Sequence, residues 1–141
     1  MTSNSTIIVR DTGFAAEDWT VPFAPLAEAT AGAAAIDLPA DANPDTLALE
    51  GVQMIRIPFA SFADGRGFTL ARRLRLRGYQ GRLRAAGHVI ADQYAMARRA
   101  GFDEVEISAA LASRQPEDQW LFRADWRAHD YQARLRGGLR G

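Results

Sequence analysis

The feature that most limits what this chain can fold into is an alternation of short strands and helices between Ala34 and Ile107. Ala34-Ala-Ile-Asp-Leu38, Gln53-Met-Ile-Arg-Ile-Pro-Phe59, Arg82-Leu-Arg-Ala-Ala86 and Glu104-Val-Glu-Ile107 each read as a strand. Thr69 to Arg77 reads as a helix, with Thr69 as N-cap, Leu70 and Leu74 as an apolar i, i+4 pair, and Gly78 as its stop. Val89 to Ala100 reads as a second helix, stopped by Gly101. Asn43-Pro44 predicts a short helix running to about Glu50. Strands separated by helices imply parallel pairing through right-handed crossovers. If neighbours follow chain order, the crossover helices share one face. The expected fold is therefore α/β, with a partial (βα) barrel-like parallel sheet of about four strands.

Strand parity sharpens this. A parallel sheet covered on both faces has nearly continuous apolar strands. Here Ile36 and Leu38 flank Asp37, and Ile55 and Ile57 flank Arg56. Leu83 and Ala85 alternate with Arg82 and Arg84, and Val105 and Ile107 with Glu104 and Glu106. One face packs on helices; the other carries charges of both signs. That second face is either solvated and bridged across its strands, or a concave surface for an anionic ligand or a second subunit. Dimerisation or partner binding is the favoured expectation, because bare parallel sheets are uncommon.

The flanks are less regular. Thr6-Ile-Ile-Val9 reads as a strand closed by Asp11-Thr-Gly13. Trp19 to Phe23 is a candidate partner strand kept short or at an edge by Pro22 and Pro25, and Ala27 to Ala35 is ambiguous between helix and loop. From Pro116 to about Arg136, Trp120, Ala124, Ala128, Tyr131 and Leu135 recur near helical spacing and predict a longer amphipathic helix. The expectation is one domain over residues 1–136: an N-terminal β appendage to 33, a βα core over 34–108 and a helical segment over 109–136. Residues 137–141 are expected to be a flexible tail.

Composition excludes whole classes of chemistry. The chain has 141 residues and no Cys, which removes disulfides, thiolate catalysis and cysteine-ligated clusters. No apolar run approaches the ~18 residues of a membrane span. Met1-Thr-Ser-Asn-Ser lacks the basic and apolar parts of a signal peptide, so the expected location is the cytoplasm. Net charge is zero, yet Asp11 to Glu50 holds only acidic ionisable side chains, while Gly65 to Ala91 holds arginines and His88. Such segregation predicts that the two regions face each other, within one molecule or between two. The arginines are spread around a helix and along a strand rather than forming one stripe, so nucleic acid is not an expected partner.

Chemistry, if any, is expected in the loop Phe62-Ala-Asp64-Gly65-Arg66-Gly67-Phe68-Thr69. Backbone N–H groups and the helix dipole favour an anion at a helix start, and Arg66 can add a bidentate contact. The spacing fits neither a Walker loop nor a dinucleotide fingerprint. The competing reading gives Gly65 and Gly67 positive φ angles and lets Asp64 cap the helix or pair with Arg66. Gly87-His88 is expected on the same edge of the sheet, with Asp92 one turn beyond and Gln93 beside it. One His and one acid do not make a metal site, and a local hydrogen-bonded pair competes with a role for His88 and Asp92 in proton transfer. His129 falls on a solvated helix face.

Asp64-Gly-Arg-Gly-Phe-Thr-Leu-Ala-Arg-Arg-Leu-Arg75, Gly81-Arg-Leu-Arg-Ala-Ala-Gly87, Asp92-Gln93 and Arg99-Ala-Gly-Phe-Asp103 together resemble the DUF934 family of small bacterial proteins. The likeness covers Ile55 to Ile107 closely. Family members are described as candidate oxidoreductases of sulfite reduction, since their genes often lie beside those of assimilatory sulfite reductase. This chain has His88 where the family usually has an acid, and Ala100 where it often has Cys, which removes any thiol role there. The resemblance implies an accessory protein of assimilatory sulfur metabolism, with sulfite reductase or another protein of that pathway as partner. Asp64, Gly65, Arg66, Gly67, Arg84 and Gln93 are the expected binding residues. The alternative is a small enzyme with an oxyanion- or phosphate-binding pocket, using Asp64, His88 or Asp92 for proton transfer. No cofactor is indicated.

Overall fold

The computed structural model describes residues 6–26, 33–61 and 63–126. Seven strands run through it: Thr6–Arg10 (β1), Gly13–Ala15 (β2), Ala24–Pro25 (β3), Ala35–Asp37 (β4), Met54–Phe59 (β5), Arg82–Gly87 (β6) and Glu104–Ser108 (β7). They form one sheet in the order β2-β1-β7-β6-β5-β4-β3. From β3 to β7 every neighbour is parallel and follows chain order, whereas β1 pairs antiparallel with both β7 and β2. Four helices complete the described chain: Arg66–Leu76 (α1), Tyr94–Ala100 (α2), Ala109–Arg114 (α3) and Glu117–Arg123 (α4).

The α/β class, the parallel core and the alternation of faces agree with the sequence. The barrel does not. The sheet is open, seven-stranded and mixed. It does not close because the N-terminal strand takes the free side of β7 antiparallel, where a barrel would need a further parallel βα unit. The N-terminal strands are thus part of the sheet rather than an appendage. The outer edge at β2 is blocked: Glu117 Oε2 accepts from the Phe14 N–H at 2.9 Å, so α4 satisfies a donor that would otherwise invite another strand.

One hydrophobic core lies between the helices and the sheet. Ile55, Ile57, Leu83, Ala85, Val105 and Ile107 meet Leu70, Ala71 and Leu74 of α1 and Ala97 and Ala100 of α2, all buried. Phe59, Phe68 and Phe102 form an aromatic triad with ring centroids 4.9, 5.9 and 6.4 Å apart, worth about 0.5–1.5 kcal/mol per pair beyond the area they bury. Beneath the core, Arg75 joins three elements at the N-terminal ends of the strands. Its guanidinium donates to the carbonyls of Tyr79, Gly81 and Gly101 and to Asp103.

Several local expectations are corrected. Asn43 starts no helix: its Oδ1 accepts from Asp45 N at 2.9 Å, and the carbonyls of Pro44 and Leu47 go to Arg77 Nη1 instead of to a helical ladder. Thr69 is not an N-cap. Helix α1 begins at Arg66 because Asp64 Oδ1 takes up the Arg66 N–H at 3.2 Å. Gly65 and Gly67 do not have positive φ; Gly65 caps α1 at φ −93°. Val89 and Ile90 precede their helix, which opens as a 3₁₀ turn, Ala91–Gln93, capped by Gln93 Oε1 on Ile90 N and Gln115 Oε1 on Ala91 N. Of the helix expected from Pro116 to about Arg136, the described residues show only the short α4, which ends at Arg123; a separate short helix, α3, precedes it, and Pro116 keeps the two apart. Trp120 sits in the core, while Ala128, His129, Tyr131, Leu135 and the 137–141 tail lie outside the described residues.

Trp19 to Phe23 is not a strand. Residues 16–23 form a strap that leaves β2 on one edge and reaches β3 on the other, passing over the charged face. Along it, Glu17 meets Arg84, Asp18 meets Arg10 and Arg82, Trp19 stacks near Arg82, and the Phe23 ring lies 3.9 Å from the Arg56 guanidinium carbon.

Candidate functional site

The C-terminal ends of β5 and β6 carry the loops singled out from sequence. β5 ends at Phe59 and α1 begins at Arg66, so the first turn of that helix stands over the edge of the sheet. Asp64 is held there by Arg66 through three contacts: Arg66 N at 3.2 Å, Nε at 3.0 Å and Nη2 at 2.9 Å. The Arg66 guanidinium, and then its backbone N–H, hold the Asp64 carboxyl down to about 2. The anion expected at this helix start is therefore supplied by the chain itself. Both named alternatives for the loop involve Arg66, and the pairing with Asp64 is the one present here.

Arg66 nonetheless faces outward, with 62% of its side chain exposed. It borders a cleft of about 250 Å³ between α1 and the loop after β4, lined also by Asp41, Pro44, Thr69, Leu70 and Arg73. Arg73 pairs with Asp45 across the cleft mouth. The Arg73–Asp45 pair is exposed at both ends and the Arg66–Asp64 pair at its guanidinium, and exposed pairs exchange readily with ions and water. Chemically, this rim can trade an internal carboxylate for an external one.

The glycines of the loop differ in purpose. A Cβ on Gly67 would come within 2.5 Å of the Phe59 ring, and one on Gly87, at φ +112°, within 2.7 Å of the Phe59 carbonyl. Both glycines let backbone approach Phe59. A Cβ on Gly65 would meet nothing within 4 Å. Of the residues carrying the motif, Gly65 is the glycine that packing does not require.

The remaining predicted residues are dispersed. His88 lies on the same edge, its backbone N–H bonded to the Phe59 carbonyl at 3.0 Å. Asp92 faces α4, paired with Arg123 at 2.8 Å, and Gln93 caps its own turn. Arg84 is on the opposite face of the sheet from α1 and fully buried. It donates to Glu104 at 2.6 Å, to Glu106 at 2.9 Å and to both oxygens of Glu17 at 2.7 and 2.8 Å. Burial opposes its charge, but these carboxylates outweigh burial and raise its pKa. Arg66 and Arg84 therefore do not form one site. Among the described residues no three His, Asp or Glu side chains converge as a metal site, and no helix is long and apolar enough to cross a membrane.

A model of a bacterial protein family of unknown function, DUF934, matches residues 35–138. The chain belongs to the DUF934 family. That match takes in four of the five parallel strands of this DUF934 protein, running from β4 through α4, including the Asp64–Gly67 loop and the Arg84 strand. It begins after the strap, so Glu17 and Asp18 lie outside the matched region. No curated protein and no solved structure matches the chain.

Sequence reasoning missed Glu17 and Asp18 as partners of Arg84 and Arg82, and missed the cleft between Asp41 and Arg73. The signal for the first was present in the segregation of acidic and basic segments. Nothing in the sequence announced the second, because the loop after β4 was read as a helix.

Proposed function

We propose that this DUF934 protein is an accessory protein of assimilatory sulfur metabolism that acts by binding, using the C-terminal edge of its parallel strands to engage an anionic group of a ligand or of a partner such as sulfite reductase. The pathway rests on the family resemblance. The binding mode rests on one observation: Arg66 is exposed at the first turn of α1, oriented by Asp64, beside a cleft that also holds Thr69 and Arg73. Arg75 and Arg84, by contrast, are half-buried and fully buried, respectively, at their internal acceptors. A partner carboxylate or a sulfur oxyanion would exchange with Asp64 or Asp45 at this rim. A homodimer is part of the proposal, and its sedimentation behaviour tests it.

The rival, a small proton-transfer enzyme, draws less support. Asp64 held near 2 is a weak base at neutral pH, and Asp92 is turned toward Arg123 rather than toward the loop. The test is copurification with sulfite reductase, alongside sulfite reduction in cells, for Arg66→Ala, His88→Ala and Asp92→Asn. Association lost only in Arg66→Ala supports the binding reading. Association kept in all three, with sulfite reduction lost in His88→Ala or Asp92→Asn, supports the enzyme.

A further inference from the structure

The charged face of the sheet holds Arg10, Arg56, Arg82 and Arg84 against Asp37, Glu104 and Glu106, so the sheet alone carries four cations and three anions. The strap adds two anions, Asp18 on Arg10 and Arg82, and Glu17 on Arg84. Glu17 presents both carboxylate oxygens to Nη1 and Nη2 of Arg84, the fork geometry by which arginine takes carboxylate, sulfate or phosphate. About a third of the Glu17 side chain remains exposed, so the contact is open to competition from solvent.

The strap is built to come away as a unit. It makes no strand pairing of its own between Ala15 and Ala24. Crossing from β2 to β3 spans six interstrand spacings, roughly 29 Å. Nine extended residue steps reach only about 30–32 Å. A connection this taut cannot slide along the face; it lifts only if an end is released. The weaker end is β3, a two-residue edge strand held by the pairs Ala24↔Ile36 and Pro25↔Asp37. Short edge elements with few buried contacts open locally at low cost. Ion pairs and cation–π contacts anchor the strap to this face, which also carries the buried Ile8 and Met54, and Arg84 keeps Glu104 and Glu106 when Glu17 leaves.

We propose that Glu17 is the built-in occupant of an anion site on Arg84, and that lifting residues 16–25 opens this site to a ligand bearing two adjacent anionic oxygens, a carboxylate or a sulfur or phosphorus oxyanion. The site is separate from the Arg66 rim, on the other face of the sheet. It acts as a latch: the ligand and the strap exclude one another.

Hydrogen exchange of residues 16–25 in the full chain, with and without sulfite, sulfate, phosphate or acetate, tests this, with chloride as the ionic-strength control. In the wild type, the effective anion speeds exchange in the strap and leaves β5, β6 and α1 unchanged. Glu17→Gln removes the competitor's charge, so its strap exchanges faster without any anion, and anion affinity by calorimetry rises by about tenfold or more. Sulfite, sulfate and phosphate set against acetate separate a sulfur or phosphorus oxyanion from a carboxylate. The proposal fails if Glu17→Gln binds no anion better than chloride, or if exchange rises across the whole chain, which would make Glu17 a general staple. It also fails if the binding gained in Glu17→Gln disappears in Glu17→Gln/Arg66→Ala, which would place the anion at the other rim.

Discussion

Gly67 lies against the flat of the Phe59 ring, so closely that a Cβ would sit 2.5 Å from the ring's Cζ. This contact sets the first turn of α1 down on the end of β5, and it fixes where Asp64 and Arg66 stand. Gly67→Ala must push aside an aromatic ring that also packs on Phe68 and Phe102. Overpacking of this kind costs about 1–3 kcal/mol, read as a lower urea midpoint with an unchanged slope. Gly65→Ala is the contrast. Its φ of −93° suits any residue and the space above it is empty. The poorer cap and the stiffer unfolded chain oppose each other, so the unfolding free energy changes by less than about 0.5 kcal/mol. If Gly65→Ala nevertheless abolishes partner association, that glycine serves the rim rather than the fold.

Arg66→Ala separates the rim from the core. Arg66 is mostly solvent-exposed, and among the described residues its side chain donates to Asp64, so the urea midpoint should stay at the wild-type value. The Asp64 carboxyl, followed by carbon-detected NMR titration, should rise from about 2 toward its ordinary 3.8. It should stop short of that value because the backbone N–H of residue 66 remains as a donor. An unchanged Asp64 titration would show that another group holds the carboxylate down.

How far the sequence revealed this fold depended on the range of the interactions involved. The core strands were legible because parity and helix punctuation are local: Ile55 and Ile57 against Arg56 already states which side is buried. The place of β1 was not, since nothing near Thr6 indicates pairing with Ser108 across the whole chain. Asn43-Pro44 opens a turn as naturally as a helix, and the decision was made remotely, by Arg77 taking the Pro44 and Leu47 carbonyls. Charge segregation correctly anticipated that acidic and basic segments meet: Glu17 with Arg84, Asp18 with Arg82 and Asp45 with Arg73 all do so within one molecule. The candidate loop was legible as a strand-to-helix turn. Its internal anion was one of two readings left open, because spacing alone cannot choose between a carboxylate on the chain and one from outside.

Arg75 is expected to matter more for stability than any other arginine of α1. Its five hydrogen bonds join the end of α1 to the starts of β6 and β7 and the end of α2. Gly101, at φ +118°, packs so near that a Cβ would meet the Arg75 stem at 2.5 Å. Arg75→Ala leaves several carbonyls without their donor and removes that packing, for a loss of about 2–4 kcal/mol in urea unfolding. Arg75→Lys should recover less than half of it, because an ammonium cannot reproduce a planar fork that reaches Tyr79, Gly81, Gly101 and Asp103 together. Full recovery in Arg75→Lys would mean that charge, not geometry, carries the contact.

Acid should release the strap before it unfolds the core. Glu17 has its pKa lowered below the ordinary 4.5, first by its hydrogen bonds to Arg84, with burial opposing and the Trp19 N–H assisting. Asp18 is lowered as well: burial works against it, and Arg82 and Arg10 outweigh burial. A carboxyl whose pKa is depressed on folding stabilises the fold fully above its unfolded pKa, and that contribution disappears as pH falls through the folded value. Stability is therefore expected to be level from about pH 7 to pH 5 and to fall below about pH 4.5. The groups facing Glu17 are Arg84, itself bound to Glu104 and Glu106, and the neighbouring Asp18. Once Glu17 is protonated, the strap loses its charged anchor on Arg84, whereas β5 and β6 remain joined by their backbone ladder and by the apolar core. Hydrogen exchange across this range should show residues 16–25 losing protection at a higher pH than β5 and β6. In Glu17→Gln the strap should be loose already at neutral pH, and the fall in stability below about pH 4.5 should be shallower. A strap and core that lose protection together in the wild type would show that the two unfold as one unit.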